Sequence, residues 1–279
     1  MKRSILASLT GLSSDRTVLD AAIAAARIDG GHVTALRARI DVVDAASVLA
    51  VGFPNPGVSI GDSVALIREE ETARSKHARE AYDDAIRRHG IGADGPVTLA
   101  WLETVSLFPE FLTEARYHDL TVMGRDPELS AESIRTVLLA SGRPLLLAPP
   151  RPQPLIGRTI AIAWKEGAEA ARAVTAAELL LMKADRLFIL VAPESTRARD
   201  DAARSAARLA KSFADKGRTV EIRQSQGGGA RAIRNMAYEC DADMLVMGAY
   251  GHGRVREMLL GGMTEAMVAE SAIPVFLFH

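Results

Sequence analysis

The chain has a single cysteine, no excess of either charge and no long apolar run, and each shortage excludes something. With Cys240 alone among 279 residues, no disulfide can form within the chain, and a lone thiol suits a reducing compartment. A net charge of −1 removes the basic surface that nucleic acid requires, though it leaves room for local positive potential around a small anion. No uninterrupted apolar stretch approaches the roughly 20 residues that span a bilayer. After Lys2 and Arg3 the apolar run is only Ile5-Leu6-Ala7 before Ser8, too short for a secretory leader. The expected location is cytoplasmic, with neither membrane nor nucleic acid as partner. His32, His77, His89, His118, His252 and His279 are scattered, with no metal-ligand spacing. There is no Gly-x-Ser-x-Gly elbow, no paired carboxylates on a recognisable scaffold and no Walker loop ending in Gly-Lys-Ser/Thr. No catalytic residue can be assigned, and the chain is not expected to be an enzyme.

What is present is a repeat. Asp243-Met-Leu-Val-Met-Gly248 restates Asp119-Leu-Thr-Val-Met-Gly124. Around each copy, short apolar strand patterns alternate with longer helical ones, the signature of a parallel sheet with crossover helices. In the first copy the strands are 4–9, 32–36, 97–101, 120–123 and 145–147, with helices at 15–27, 62–88, 108–117 and 132–139. In the second the strands are 159–164, 187–191, 220–223, 244–247 and 275–278, with helices at 169–183, 198–216, 230–239 and 254–269. Each copy thus has five strands and four helices, and at roughly 140 residues each is of ordinary domain size. Pro149, Pro150, Pro152 and Pro154 crowd the boundary, where fixed φ and missing donors stop any element, so domains are expected at 1–150 and 155–279. Residues 52–61, with Pro54 and Pro56, read as a loop or flap. Phe276 and Phe278 make the last strand an aggregation-prone edge if left open. Pairing it with Leu145–Leu147 would cover it and make the two copies an internal pseudo-dimer of two sheets.

The second copy alone keeps its glycines. Gly248 ends a strand, Gly251 and Gly253 follow, and Gly261-Gly262 interrupts the next helical pattern, where glycine costs roughly 1 kcal/mol against alanine. A strand that stops at glycines and passes into a helix presents backbone amides to an anion. Thr264 offers a hydroxyl, and Arg254 and Arg256 add positive charge.

The spacing Gly248-x2-Gly251-x9-Gly261, within Gly248-Ala-Tyr-Gly-His-Gly-Arg-Val-Arg-Glu257 and Leu260-Gly-Gly-Met-Thr264, resembles the ATP-binding motif of the universal stress protein family in its tandem form. The resemblance covers the whole chain as two copies and is more specific in the second. It implies an α/β fold of two doubly wound domains, each a five-stranded parallel sheet of order 3-2-1-4-5. ATP or a related adenine nucleotide would bind at the carboxyl ends of strands 1 and 4. Ala163, Trp164, Lys165 and Val191 would enclose the base. Met247, Gly248, Ala249, Tyr250, Gly251, His252, Gly253, Arg254, Gly261, Gly262, Met263 and Thr264 would hold ribose and phosphates. Two positions depart from the family pattern, with Lys165 where an Asp is usual and Gly262 where Ser or Thr is usual. In the first copy Thr10 replaces that Asp, Arg125-Asp126-Pro127 replaces the loop, and Ser141-Gly142 is a faint echo of the later glycines. No nucleotide is expected there.

Each motif has a plainer reading. The glycines can be turns that the fold alone requires. Trp164 can pack in the core, Gly227-Gly-Gly229 can be a strand-to-helix joint, and Cys240 can be structural. The charged 62–88 helix can be a solvated face with pairs such as Glu70–Arg74. A nucleotide-independent interaction protein of the same fold is the alternative function, and a binder of another phosphorylated or lipid-like molecule beneath the 52–61 flap is the third. A protein partner and a homodimer stay open beside all three.

Overall fold

The computed structural model describes residues 3–28, 30–39, 60–92, 94–105, 108–126, 131–153, 156–250 and 262–279. The first half contains β1 (Ser4–Leu9), α1 (Asp15–Arg27), β2 (His32–Arg39), α2 (Ile60–His89) and β3 (Thr98–Val105), followed by α3 (Phe108–Tyr117), β4 (Leu120–Met123), α4 (Ala131–Ala140) and β5 (Leu145–Leu147). The second contains β6 (Thr159–Ala163), α5 (Ala168–Ala176), α6 (Glu178–Lys183), β7 (Arg186–Val191), α7 (Arg199–Ala214) and β8 (Glu221–Gln224), followed by α8 (Ala230–Glu239), β9 (Met244–Gly248), α9 (Met263–Glu270) and β10 (Val275–Phe278). The expected helix over 169–183 is two helices that meet at Ala177, whose φ of −87° and ψ of 0° leave the regular α-helical path.

The strand order is β3-β2-β1-β4-β5-β10-β9-β6-β7-β8. Each half has the order 3-2-1-4-5, parallel throughout, and neither half borrows a strand from the other. The joint is antiparallel, with Val275 opposite Leu147, Phe276 opposite Leu146 and Leu277 opposite Leu145. The two terminal strands thus cover each other as their apolar composition requires, and they fuse the expected two sheets into one of ten strands. The outer edge at β8 carries Glu221, Arg223 and Gln224, the charged edge that discourages pairing with another chain.

Alternation along the strands builds two cores, one on each face. Ile5, Ala7 and Leu9 belong to the core that also takes in residues of α1, α2, α5 and α7, while Leu6 lies with α3, α4, α8 and α9 in the core of the opposite face. Both cores run through the joint. Leu146 and Phe276 belong to one, and Leu145, Leu147, Val275 and Leu277 to the other.

The repeated motif has a structural reason at its first residue. The Asp119 carboxylate accepts the Ser4 amide at 2.9 Å, and Asp243 accepts the amides of Gly157, Arg158 and Thr159 at 2.8, 3.0 and 3.1 Å. Each aspartate therefore ties the entry of its domain's first strand to the start of the fourth. A second repeat lies just before each last strand. Ser141 and Ser271 each donate to the carbonyl two residues on and accept that residue's amide. Ser141-Gly142 is therefore the counterpart of Ser271-Ala272 beyond the helix, and not an echo of Gly261-Gly262 before it.

Candidate functional site

The carboxyl ends of β6 and β9 are adjacent in the second domain, with α5 starting above them. This is the switch point at which open α/β sheets receive ligands. Ala163, Trp164 and Lys165 leave β6 there, and Val191 ends β7 alongside. Met247, Gly248, Ala249 and Tyr250 leave β9, while Gly262, Met263 and Thr264 open α9. Gly251, His252, Gly253, Arg254 and Gly261 lie outside the described residues, as does nearly all of the 52–61 flap.

Gly248 has a packing reason to be glycine. A β-carbon on it would lie 2.5 Å from the Ala170 amide nitrogen and 2.6 Å from the Glu169 carbonyl carbon. The end of β9 therefore presses directly on the first turn of α5. Gly124 repeats this in the first domain, where a β-carbon would come within 2.5 Å of Ser14. Gly262 differs, because a β-carbon there would meet nothing within 4 Å among the described residues. It is the N-cap of α9 with extended backbone (φ −76°, ψ 178°), so it stands outside the helix and does not carry the interior penalty assigned to it from sequence. Free amides at a helix start attract anions. Glu265 in the same turn puts a carboxylate near them.

Tyr250, a non-glycine residue, takes the left-handed conformation here with φ 52°, at a cost of order 1–2 kcal/mol. Its amide donates to Thr264 Oγ1 at 3.4 Å, which links the strand end to α9, and burial followed by the nearby Glu265 carboxylate raises its phenol above the ordinary range. The Ala249 amide bonds the Phe278 carbonyl at 2.9 Å, and the Ala249 carbonyl lies 3.0 Å from His279 Nδ1. Trp164 packs against the core, and its indole N–H donates to Ser205 Oγ on α7 at 2.8 Å. Lys165 is exposed and reaches Glu194 Oε1 at 3.1 Å, an ion pair of small energetic weight at such exposure. The glycine triplet serves the fold. A β-carbon on Gly228 would lie 3.0 Å from Glu194 Cα, and Gly229 starts α8 with φ 90°. Burial also raises the Cys240 thiol, the opposite of an activated nucleophile.

The same switch point in the first domain is occupied by the chain's own side chains. Asp15, 1% exposed, accepts the amides of Thr10 and Gly11, both at 2.8 Å. Thr10 Oγ1 lies 3.2 Å from Asp15 Oδ1 and 3.1 Å from Asp126 Oδ2. The Ser14 hydroxyl precedes α1 but caps no amide; it donates to Asp126 instead. Burial raises Asp15 to about 6 against the pull of the Thr10 and Gly11 amides, with Asp126 pushing the same way as burial. Sequence reading missed this network because Asp15 looks like any acid in a first helical turn, and only the fold brings Asp126 to it. Arg125 was missed similarly. It reaches across to the second domain, donating to the Val268 and Ile273 carbonyls, both at 3.4 Å, while also donating to Ala148 of its own domain at 3.3 Å.

A cavity of about 440 Å³ between α1, α2 and the segment that leads into the second domain is lined by Arg16, Asp20, Arg27, Arg88, His89 and Gln153, among others. Its charges are largely spent on one another and on helix ends. Asp20 holds Arg88 and His89, both at 2.6 Å, and Arg27 caps the His89 carbonyl at 2.9 Å. Among the described residues no group of three or more His, Cys, Asp and Glu can hold a metal ion, and no helix is long and apolar enough to cross a membrane.

The model of the universal stress protein family matches residues 155–279. A search of curated proteins gives no significant match. Among solved structures, the chain is similar to a universal stress protein from Archaeoglobus fulgidus DSM 4304, with 16% identity, 99% of this chain and 97% of that one covered, and a TM-score of 0.71. It is also similar to a putative universal stress protein from Pseudomonas aeruginosa UCBPP-PA14, with 18% identity, 99% and 93% covered, and a TM-score of 0.56. At such identities the likeness is one of fold, and it runs the length of both domains. Residues 155–279 thus match the universal stress protein family, and the fold of the similar solved structures occurs twice in tandem along the chain.

Proposed function

We propose that the second domain binds ATP or a related adenine nucleotide at the carboxyl ends of β6 and β9. The ligand acts as a signal or stabiliser in a stress response and is not turned over. The observation that carries this reading is the motif Gly248-x2-Gly251-x9-Gly261 with α9 opening directly after Gly262. Its support is the contrast between the copies. The first fills its switch point with Thr10, Ser14, Asp15 and Asp126, while in the second no described residue lies within 4 Å of where a β-carbon on Gly262 would stand. Domain limits of 1–150 and 155–279 and a cytoplasmic location belong to the same reading. Thermal and chemical unfolding in the presence of ATP tests it. Ligand at 100 times its dissociation constant should add about 2.7 kcal/mol, and Gly251→Val should erase the gain. Absence of any shift at millimolar ATP would defeat the reading.

One observation favours a nucleotide-independent interaction protein. Lys165 stands where a carboxylate would be needed, and it is paired outward with Glu194. Wild-type protein that purifies without nucleotide, ignores added ATP and still retains a defined protein partner would establish that alternative.

A further inference from the structure

The geometry points to Arg125 as a positioning residue for α9, through which the first domain sets the amide-bearing end of the second domain's ligand site. Arg125 directly follows Gly124, and the matching position after Gly248 is Ala249, which is buried and small. The contact therefore runs one way, from the copy that has lost its glycine loop to the copy that keeps one. The guanidinium bonds three carbonyls and, among the described residues, no carboxylate. Ala148 follows β5, Val268 lies in the last turn of α9, and Ile273 lies in the turn beyond it. The last carbonyls of a helix lack partners of their own, and a cation there also complements the helix dipole.

The arrangement is costly to maintain, since burial pulls Arg125 down to about 10, yet the group stays charged at neutral pH. The helix it holds is short, at eight residues, or about 12 Å. A body of that size moves as a unit. Fixing Val268 and Ile273 at one end therefore fixes Met263 and Thr264 at the other. Thr264 in turn receives the Tyr250 amide from the end of β9, so the strand end and the helix start are set together. This gives the degenerate domain a role that needs no ligand of its own.

The role rests on the proposed nucleotide site, so the test reads two quantities in the full chain. One is hydrogen exchange of peptides covering 244–250 and 262–270, with peptides from α7 as internal reference. The other is ATP affinity by calorimetry. Arg125→Met, which keeps length and loses every donor, should speed exchange in both peptides and weaken ATP binding, each by about tenfold, the equivalent of 1.4 kcal/mol, with α7 unchanged. Arg125→Lys should recover part of both. Unchanged exchange at 262–270, or faster exchange with unchanged ATP affinity, would overturn the positioning role. Faster exchange in a protein whose wild type ignores ATP would instead refute the nucleotide reading and leave Arg125 as the clamp of α9.

Discussion

Replacing Asp15 by asparagine isolates the first domain's buried acids. Asp15 has its pKa raised to about 6, first through burial. A carboxyl that binds its proton more tightly when folded contributes stability that is fully present below its unfolded pKa. That stability is lost as pH rises through the folded value. The window is therefore about pH 4 to 7, and stability falls with rising pH across it. A shift of about two pKa units corresponds to roughly 3 kcal/mol. About 2 kcal/mol of this falls between pH 4.5 and 7.5. The asparagine side chain is neutral throughout. It keeps one carbonyl acceptor for the Thr10 and Gly11 amides, so the substitution should cost about 1–3 kcal/mol at pH 4.5 through the amide left unpaired. By pH 7.5 most of that deficit should close, because the wild type then carries a buried charge beside Asp126. Urea unfolding followed by Trp101 in a Trp164→Phe background reads the first domain alone, as the chain has only these two tryptophans. Comparing wild type with Asp15→Asn cancels the other carboxylates, many of which are ion-paired and pull stability the opposite way. Parallel pH profiles for the two proteins would refute the burial-raised pKa of Asp15.

Two further outcomes concern the frame around the site. Gly248→Ala and Gly124→Ala should each destabilise the protein by roughly 1–3 kcal/mol through overpacking, as the new methyl groups meet the first turn of α5 and Ser14, whereas Gly262→Ser should change stability by only about a few tenths of a kcal/mol; chemical unfolding of the three variants checks the order. Phe276→Ala empties a fully buried position at the joint between the copies and should cost about 3–5 kcal/mol, with unfolding followed separately in the two halves showing whether both lose stability together.

The fold was legible because its signals are local and repeated. Short apolar runs located β1, β4, β5 and β10 to the residue, and an apolar last strand that could not be left as an open edge was enough to argue its partner. Boundaries slipped where side chains do not mark them. β2 runs on to Arg39 because β3 continues beside it to Val105, and Arg37 remains buried there by pairing with Glu71 at 2.8 Å. A sequence pattern that counts arginine as polar has no means of extending that strand. The break at Ala177 was likewise invisible, since it lies in an alanine- and leucine-rich run that favours helix on both sides.

Glycine was the harder signal, because one residue type answers two different demands. Gly248 and Gly262 both belong to the phosphate motif as read from sequence. Yet Gly248 is required by the Ala170 backbone whether or not a ligand exists, and its recurrence as Gly124 in the copy without the loop follows from that. Gly262 has no close neighbour among the described residues and no conformational need, its φ being ordinary for any residue. The left-handed conformation expected of the motif glycines falls on Tyr250 among the described residues. The strand-end glycine therefore reports the sheet-to-helix packing shared by both copies, and cannot by itself report a ligand. What separates the copies lies after it. Arg125 and Asp126 turn the first loop onto the chain's own helix ends and hydroxyls, whereas Ala249 and Tyr250 lead to a strand end whose Tyr250 amide bonds Thr264 at the start of α9. Function should therefore track the residues that follow Gly124 and Gly248 more closely than the glycines themselves.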